Sequence, residues 1–129
     1  MEIVPDMVGL VVEDMGRALA FYRQLGLPIP ENQDAEPYVE VTVNGYRISF
    51  NTAEMVRSFD PEWTAPSGSN RISLAFKCPS AAAVDETFQR MVDSAVARVH
   101  KAPWDAFWGQ RYAVLLDPDN NTVDIFAPL

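Results

Sequence analysis

Cysteine and histidine are nearly missing: Cys78 and His100 are the only ones in 129 residues. One thiol excludes an internal disulfide and suits a reducing compartment, so a cytoplasmic location is expected. One imidazole, placed in a predicted strand, reads as a surface or satisfied side chain rather than a metal ligand. Basic residues are also scarce, 10 Lys and Arg against 18 Asp and Glu, for a net charge of −8. With no basic stripe to neutralise phosphates, nucleic acid is not an expected partner. The acidity suits solubility and is compatible with a cationic or weakly basic ligand. No apolar run approaches the ~20 residues of a membrane span, so no membrane partner is expected. The opening residues 1–7 have neither the basic end nor the apolar core of a signal peptide. What is present is an apolar share of 48% in 14.4 kDa. That argues against disorder and for one domain, or two small halves sharing a core.

Hydrophobic periodicity organises the chain. Residues 3–12 read as a strand, with Val8, Leu10 and Val12 opposite Met7, Gly9 and Val11. Asp14 is an N-cap candidate for a helix running to about Leu25, with Met15, Ala18, Leu19 and Tyr22 as its apolar stripe and Gly26 as its stop. A short edge strand is expected over 27–31, limited by Pro28 and Pro30. Residues 38–43 and 46–51 alternate around Asn44-Gly45, a hairpin signal. One helical turn over 53–59 and a Pro/Gly/Ser-rich linker over about 59–69 follow. Then come a strand over 71–78, a helix capped by Ser80 with Val84, Phe88, Met91 and Val92 on one stripe, and a strand over 97–101. Residues 101–111, holding Trp104, Phe107 and Trp108, read as a turn-rich loop.

The most informative stretch runs from Arg111 to Phe126. Tyr112, Val114 and Leu116 alternate with Ala113 and Leu115, and Asp117-Pro-Asp-Asn-Asn121 supplies turn chemistry. The apolar strand that follows contains one acid, Asp124, which needs a partner or a wet cavity. This hairpin resembles the closing hairpin of the vicinal-oxygen-chelate superfamily: glyoxalase I, extradiol dioxygenases and bleomycin-resistance proteins. Asp124 stands where metal-dependent members carry a glutamate ligand. The segment Asp14…Arg17-Ala-Leu-Ala-Phe-Tyr-Arg-Gln-Leu-Gly26 is similar to the superfamily's first helix.

The resemblance implies an α+β fold of two βαβββ units in a single domain, over about 1–58 and 70–129. They form a cupped, half-open mixed sheet with helices outside. It pairs Met7 with Ser73, Asp14 with Ser80, Asn44-Gly45 with Asp119-Asn120, and Ser49 with Asp124. It also implies that Met7, Ser49, Ser73 and Asp124 occupy the four metal-ligand positions. One carboxylate, two hydroxyls and a thioether are a poor set for a hard divalent ion, so no metal and no cofactor are expected. That leaves a binding cup similar to the metal-free, antibiotic-sequestering branch. The resemblance to that branch also implies a homodimer with clefts at the subunit interface.

Tyr38, Asn51, Phe59, Trp63, Trp104, Trp108 and Tyr112 join the four ligand-position residues as candidate ligand-contacting side chains. An aromatic cluster of this kind marks a contact site for planar rings, or else closes the sheet edge or a dimer interface. Asp124 either pairs with Arg47 or Arg111, or accepts a hydrogen bond from a ligand. Three functions stay open: sequestration of a flat, antibiotic-like aromatic compound, a metal-free isomerase- or lyase-like enzyme with Asp124 as base, and an accessory protein of a biosynthetic pathway.

Overall fold

The computed structural model describes residues 1–129, which divide into two compact units, Met1–Ala65 and Pro66–Leu129. The architecture is α+β, with two small mixed sheets and three helices. None of the helices is long and apolar enough to cross a membrane.

The first unit is built on strand β1 (Met7–Val12), helix α1 (Met15–Leu25), strands β2 (Tyr38–Val43) and β3 (Tyr46–Thr52), and helix α2 (Ala53–Phe59). Its sheet order is β1-β3-β2, with β1 parallel and β2 antiparallel to β3. Helix α1 starts where the Asp14 carboxylate accepts the Arg17 amide at 2.9 Å. It stops at Gly26, whose φ of 123° lets its N–H reach back to the Arg23 and Tyr22 carbonyls. Phe21 and Tyr22 are fully buried, and Tyr22 packs on Phe50 of β3 with centroids 5.2 Å apart. Each such ring contributes about 1.5–3 kcal/mol of burial, so α1 fixes which face of this sheet is core.

Two expectations for this unit change. β1 begins at Met7 rather than at residue 3. No strand forms over 27–31, although Ile29 is buried there. The Arg23 side chain instead donates to the carbonyls of Ile29 (3.3 Å) and Pro30 (2.5 Å), occupying acceptors a neighbouring strand would need. Pro28 and Pro30 themselves have no N–H to offer a ladder.

The second unit contains β4 (Ser73–Lys77), helix α3 (Ala81–Asp93), β5 (Arg98–Ala106), β6 (Gln110–Leu116) and β7 (Thr122–Pro128). The order is β4-β7-β6-β5, with β4 parallel to β7 and the rest antiparallel. Ser80 caps α3 by accepting the Ala83 amide at 3.1 Å. Val84 and Met91 of α3 are fully buried, as are Ala113, Leu115, Val123 and Ile125 of the sheet. The expected loop over 101–111 is mostly strand. β5 continues to Ala106, with register shifts between Val99 and Lys101 and between Lys101 and Trp104. An edge strand tolerates such bulges, and they accommodate Pro103.

The β6–β7 turn is held by Asp117, which is fully buried. Its carboxylate accepts the Asp119 and Asn121 amides and the Asn121 side-chain amide, each at 2.9 Å. Asn120 sits at φ 66°, a left-handed conformation that asparagine tolerates. Arg98 closes the turn from β5, donating to the Asp117 carbonyl at 3.1 Å and to the Asn120 side chain.

Candidate functional site

Strand pairing decides which side chains share a face. In the second unit the face away from α3 carries two rows. One row is Lys101, Val114, Asp124 and Ala75, and the other is Trp104, Tyr112, Phe126 and Lys77. Each residue is the register partner of the next, running from β5 through β6 and β7 to β4.

Aromatic rings dominate this face. Trp104, Trp108 and Tyr112 touch one another with centroids 5.3–5.9 Å apart and ring planes at 65–90°. Phe126 stacks on Tyr112 at 5.9 Å, and Phe107 meets Trp108 at 5.1 Å. Trp108 is 49% exposed and Phe107 97% exposed, so the cluster is not a finished core. The Lys101 ammonium lies over the Trp104 ring, 4.2 Å from its centroid.

The Tyr112 hydroxyl donates to Asp124 Oδ2 at 2.6 Å. Burial, and then the hydrogen bond to this carboxylate, push the phenol up to about 12. Asp124 therefore finds its partner on the next strand, and neither candidate arginine serves it. Arg111 points to the α3 side and binds Asp85 at 3.0 Å and Asp105 at 3.2 Å. Arg47 binds Asp6 at 2.5 Å and Glu40 at 2.8 Å in its own unit.

The first unit repeats part of this design. On its face away from α1, the Tyr38 hydroxyl donates to Glu40 Oε2 at 2.6 Å, and Met7 Sδ lies 3.9 Å from the same hydroxyl. The Glu40 hydrogen bond raises the Tyr38 phenol; the Tyr38 hydrogen bond, then Arg47, lower the Glu40 carboxyl. Tyr38 pairs with Asn51 as Tyr112 pairs with Phe126. Ser49 is 1% exposed on this face, and a Cβ on Gly9 would lie 3.1 Å from its Oγ. Gly9 thus makes the room that the serine occupies.

Among the sequence candidates, Met7, Tyr38, Ser49 and Asn51 share this face of the first unit. Ser73, Trp104, Tyr112 and Asp124 share the corresponding face of the second, with Trp108 against its rings. Phe59 and Trp63 join neither group. Phe59 is exposed at the end of α2, and Trp63 carries the Arg57 guanidinium 5.0 Å from its centroid. Sequence reasoning passed over Glu40 and Lys101. Glu40 was visible only as a polar residue alternating in β2, and Lys101 resembled an ordinary loop lysine.

Register gives Met7 and Ser73 equivalent places: Met7 pairs with Arg47, two residues before Ser49, and Ser73 with Thr122, two before Asp124. Neither pair, Met7 and Ser49 in the first unit or Ser73 and Asp124 in the second, suits a divalent metal. Ser49 is buried against Gly9, Met7 offers only sulfur, and Asp124 has one oxygen committed to Tyr112. No group of three or more His, Cys, Asp or Glu is placed to hold an ion.

Comparison with known proteins places this geometry. Residues 4–125 match the Glyoxalase/Bleomycin resistance protein/Dioxygenase superfamily. A family enzyme of that description from Burkholderia phytofirmans superposes with a TM-score of 0.83 at 25% identity, over 96% of this chain and 98% of that one. A hypothetical protein from S. aureus gives 0.79 at 17% identity, over 98% and 95%. A glyoxalase/bleomycin resistance protein/dioxygenase from Nocardioides gives 0.75 at 19%, over 100% and 87%. The latter two share the fold alone. No curated protein matches significantly. The chain belongs to the glyoxalase/bleomycin resistance protein/dioxygenase superfamily.

Proposed function

We propose that the protein is a metal-independent small-molecule binding protein that sequesters a flat, aromatic, antibiotic-like compound. The observation that carries this is the cluster of Trp104, Trp108 and Tyr112 on a sheet face that α3 leaves uncovered, with Trp108 half exposed. A planar ligand stacked on these rings gains about 1 kcal/mol per ring contact beyond the area buried. Asp124, held in place by Tyr112, keeps its second oxygen to accept a ligand N–H or O–H. Exposed Phe107, Trp108 and Leu129 support a homodimer with clefts at its interface. Light scattering should then report twice 14.4 kDa. The compartment we assign is the cytoplasm, which suits the lone buried Cys78.

A second reading has one specific observation in its favour. Tyr112 fixes the orientation of Asp124 as a general base needs. No second carboxylate or imidazole stands in the two rows of this face to act as the complementary acid. Binding is therefore the better reading. The experiment is titration of a panel of planar aromatic compounds followed by tryptophan fluorescence, with product formation monitored in the same samples. Trp104→Ala should weaken binding tenfold (about 1.4 kcal/mol) without unfolding the chain. Turnover lost in Asp124→Asn would establish the enzyme instead.

A further inference from the structure

The net charge of −8 is distributed unevenly. Residues 1–65 hold eleven acids against four bases, whereas 66–129 hold seven against six. The chain has two lysines, Lys77 and Lys101, and both stand on the aromatic face of the second unit, at its opposite edges. Neither takes part in an ion pair, in contrast to Arg23, Arg47 and Arg111. In so acidic a protein, two unneutralised ammonium groups on one face are a local reversal of sign.

From this placement we infer that the ligand is an aromatic anion, a carboxylate or similar acid, whose charge is taken by Lys101 while its ring lies on Trp104, Trp108 and Tyr112. The inference rests on the aromatic-face reading above and adds the ligand's charge to it. Lys101 is positioned for the task. Its ammonium is held over Trp104 at 4.2 Å, so the charge sits at the border of the ring cluster. A ligand cation would meet that charge directly and would have to displace it from the π-face. An anion is drawn to it and leaves the Trp104–Lys101 contact in place.

The other charge on the face refines the ligand class. Lys101, Val114 and Asp124 are successive register partners, which sets the backbones of Lys101 and Asp124 about 10 Å apart. Asp124 has one oxygen filled by the Tyr112 hydroxyl, so its other oxygen seeks a donor. The matching compound is an aromatic acid with a hydroxyl or amino group on the side away from its acid group. Screening by water keeps the Lys101 contribution moderate and makes it depend on salt.

Calorimetric titration with naphthoate, naphthylmethanol and naphthylmethylammonium tests the charge. Naphthoate should bind about fivefold tighter than the neutral alcohol, and the ammonium compound should bind weakest. Lys101→Gln should remove the preference for naphthoate over naphthylmethanol, and Lys101→Arg should retain it. Lys77→Gln, at the far edge, should leave it intact. Preference for the ammonium compound, or an undiminished naphthoate preference in Lys101→Gln, overturns the anion assignment while the aromatic-face reading stands. Loss of the preference in Lys77→Gln alone moves the charge to the wrong edge and overturns it too. If none of the three binds, or if Trp104→Ala leaves the affinity of a bound probe unchanged, the aromatic-face reading itself fails.

Discussion

Replacing Tyr112 by Phe removes one oxygen and leaves the ring, its stacking on Phe126 and its edge contacts with both tryptophans in place. What is lost is the 2.6 Å hydrogen bond to Asp124. A charge-assisted hydrogen bond contributes about 1.5–3 kcal/mol when dry. Tyr112 and Asp124 are only half-buried, and solvent screening lowers the expected cost of Tyr112→Phe to about 1 kcal/mol. The phenol's rise to about 12 fixes how this varies with pH. The folded state favours the neutral tyrosine. Its contribution is thus fully present below the ordinary phenol value near 10, and is lost as pH climbs from about 10 to about 12. Urea unfolding at pH 7 should show the variant less stable by about 1 kcal/mol, with an unchanged slope. At pH 12 the two proteins should converge. Phenolate absorbance of the folded wild type should contain one tyrosine titrating late that the variant lacks. Equal stability at pH 7, together with no late tyrosine, would refute the reasoning.

Three further outcomes follow from the packing. Gly9→Ala brings a Cβ to 3.1 Å from the buried Ser49 Oγ. Thermal unfolding should show a loss of about 1 kcal/mol that Ser49→Ala in the same chain largely restores. Asp117→Ala strips three donors in the β6–β7 turn of their acceptor and should cost about 2–4 kcal/mol in denaturant unfolding. Arg47→Met, which breaks pairs with exposed Asp6 and Glu40, should change stability by less than about 1 kcal/mol.

Local chemistry made much of the fold readable. Asp14 and Ser80 announce their helices because a capping oxygen acts within three residues of itself. Asn44-Gly45 announces its turn because both residues take positive φ. The limit came where a distant group competes for the backbone. The Arg23 guanidinium claims the carbonyls around Ile29, and no periodicity records that. The aromatic segment resembled a loop because Pro103 and the irregular spacing hide a bulged edge strand. The site was half visible. Asp124 stood out as an acid among apolar neighbours, but its partner depends on the β6–β7 register, which twelve residues of separation conceal. Lys101 became informative only once β5 placed it beside Trp104.

The Asp117 turn has a consequence beyond its own hydrogen bonds. It is the ruler from which β6 and β7 are measured against each other, because a hairpin's register follows the number of residues in its turn. Add or delete one residue between Asp117 and Asn121, and β7 slides by a step. Asp124 would then rotate toward α3, and Val123 or Ile125 would face Tyr112 in its stead. The other edge of the same face has the opposite character. β5 already absorbs two irregularities in pairing and still delivers Trp104 to Tyr112. Sequence drift among related chains should therefore collect along β5, whereas the length of the 117–121 turn should stay fixed. The fold has a rigid gauge on one side of its aromatic face and a pliable margin on the other.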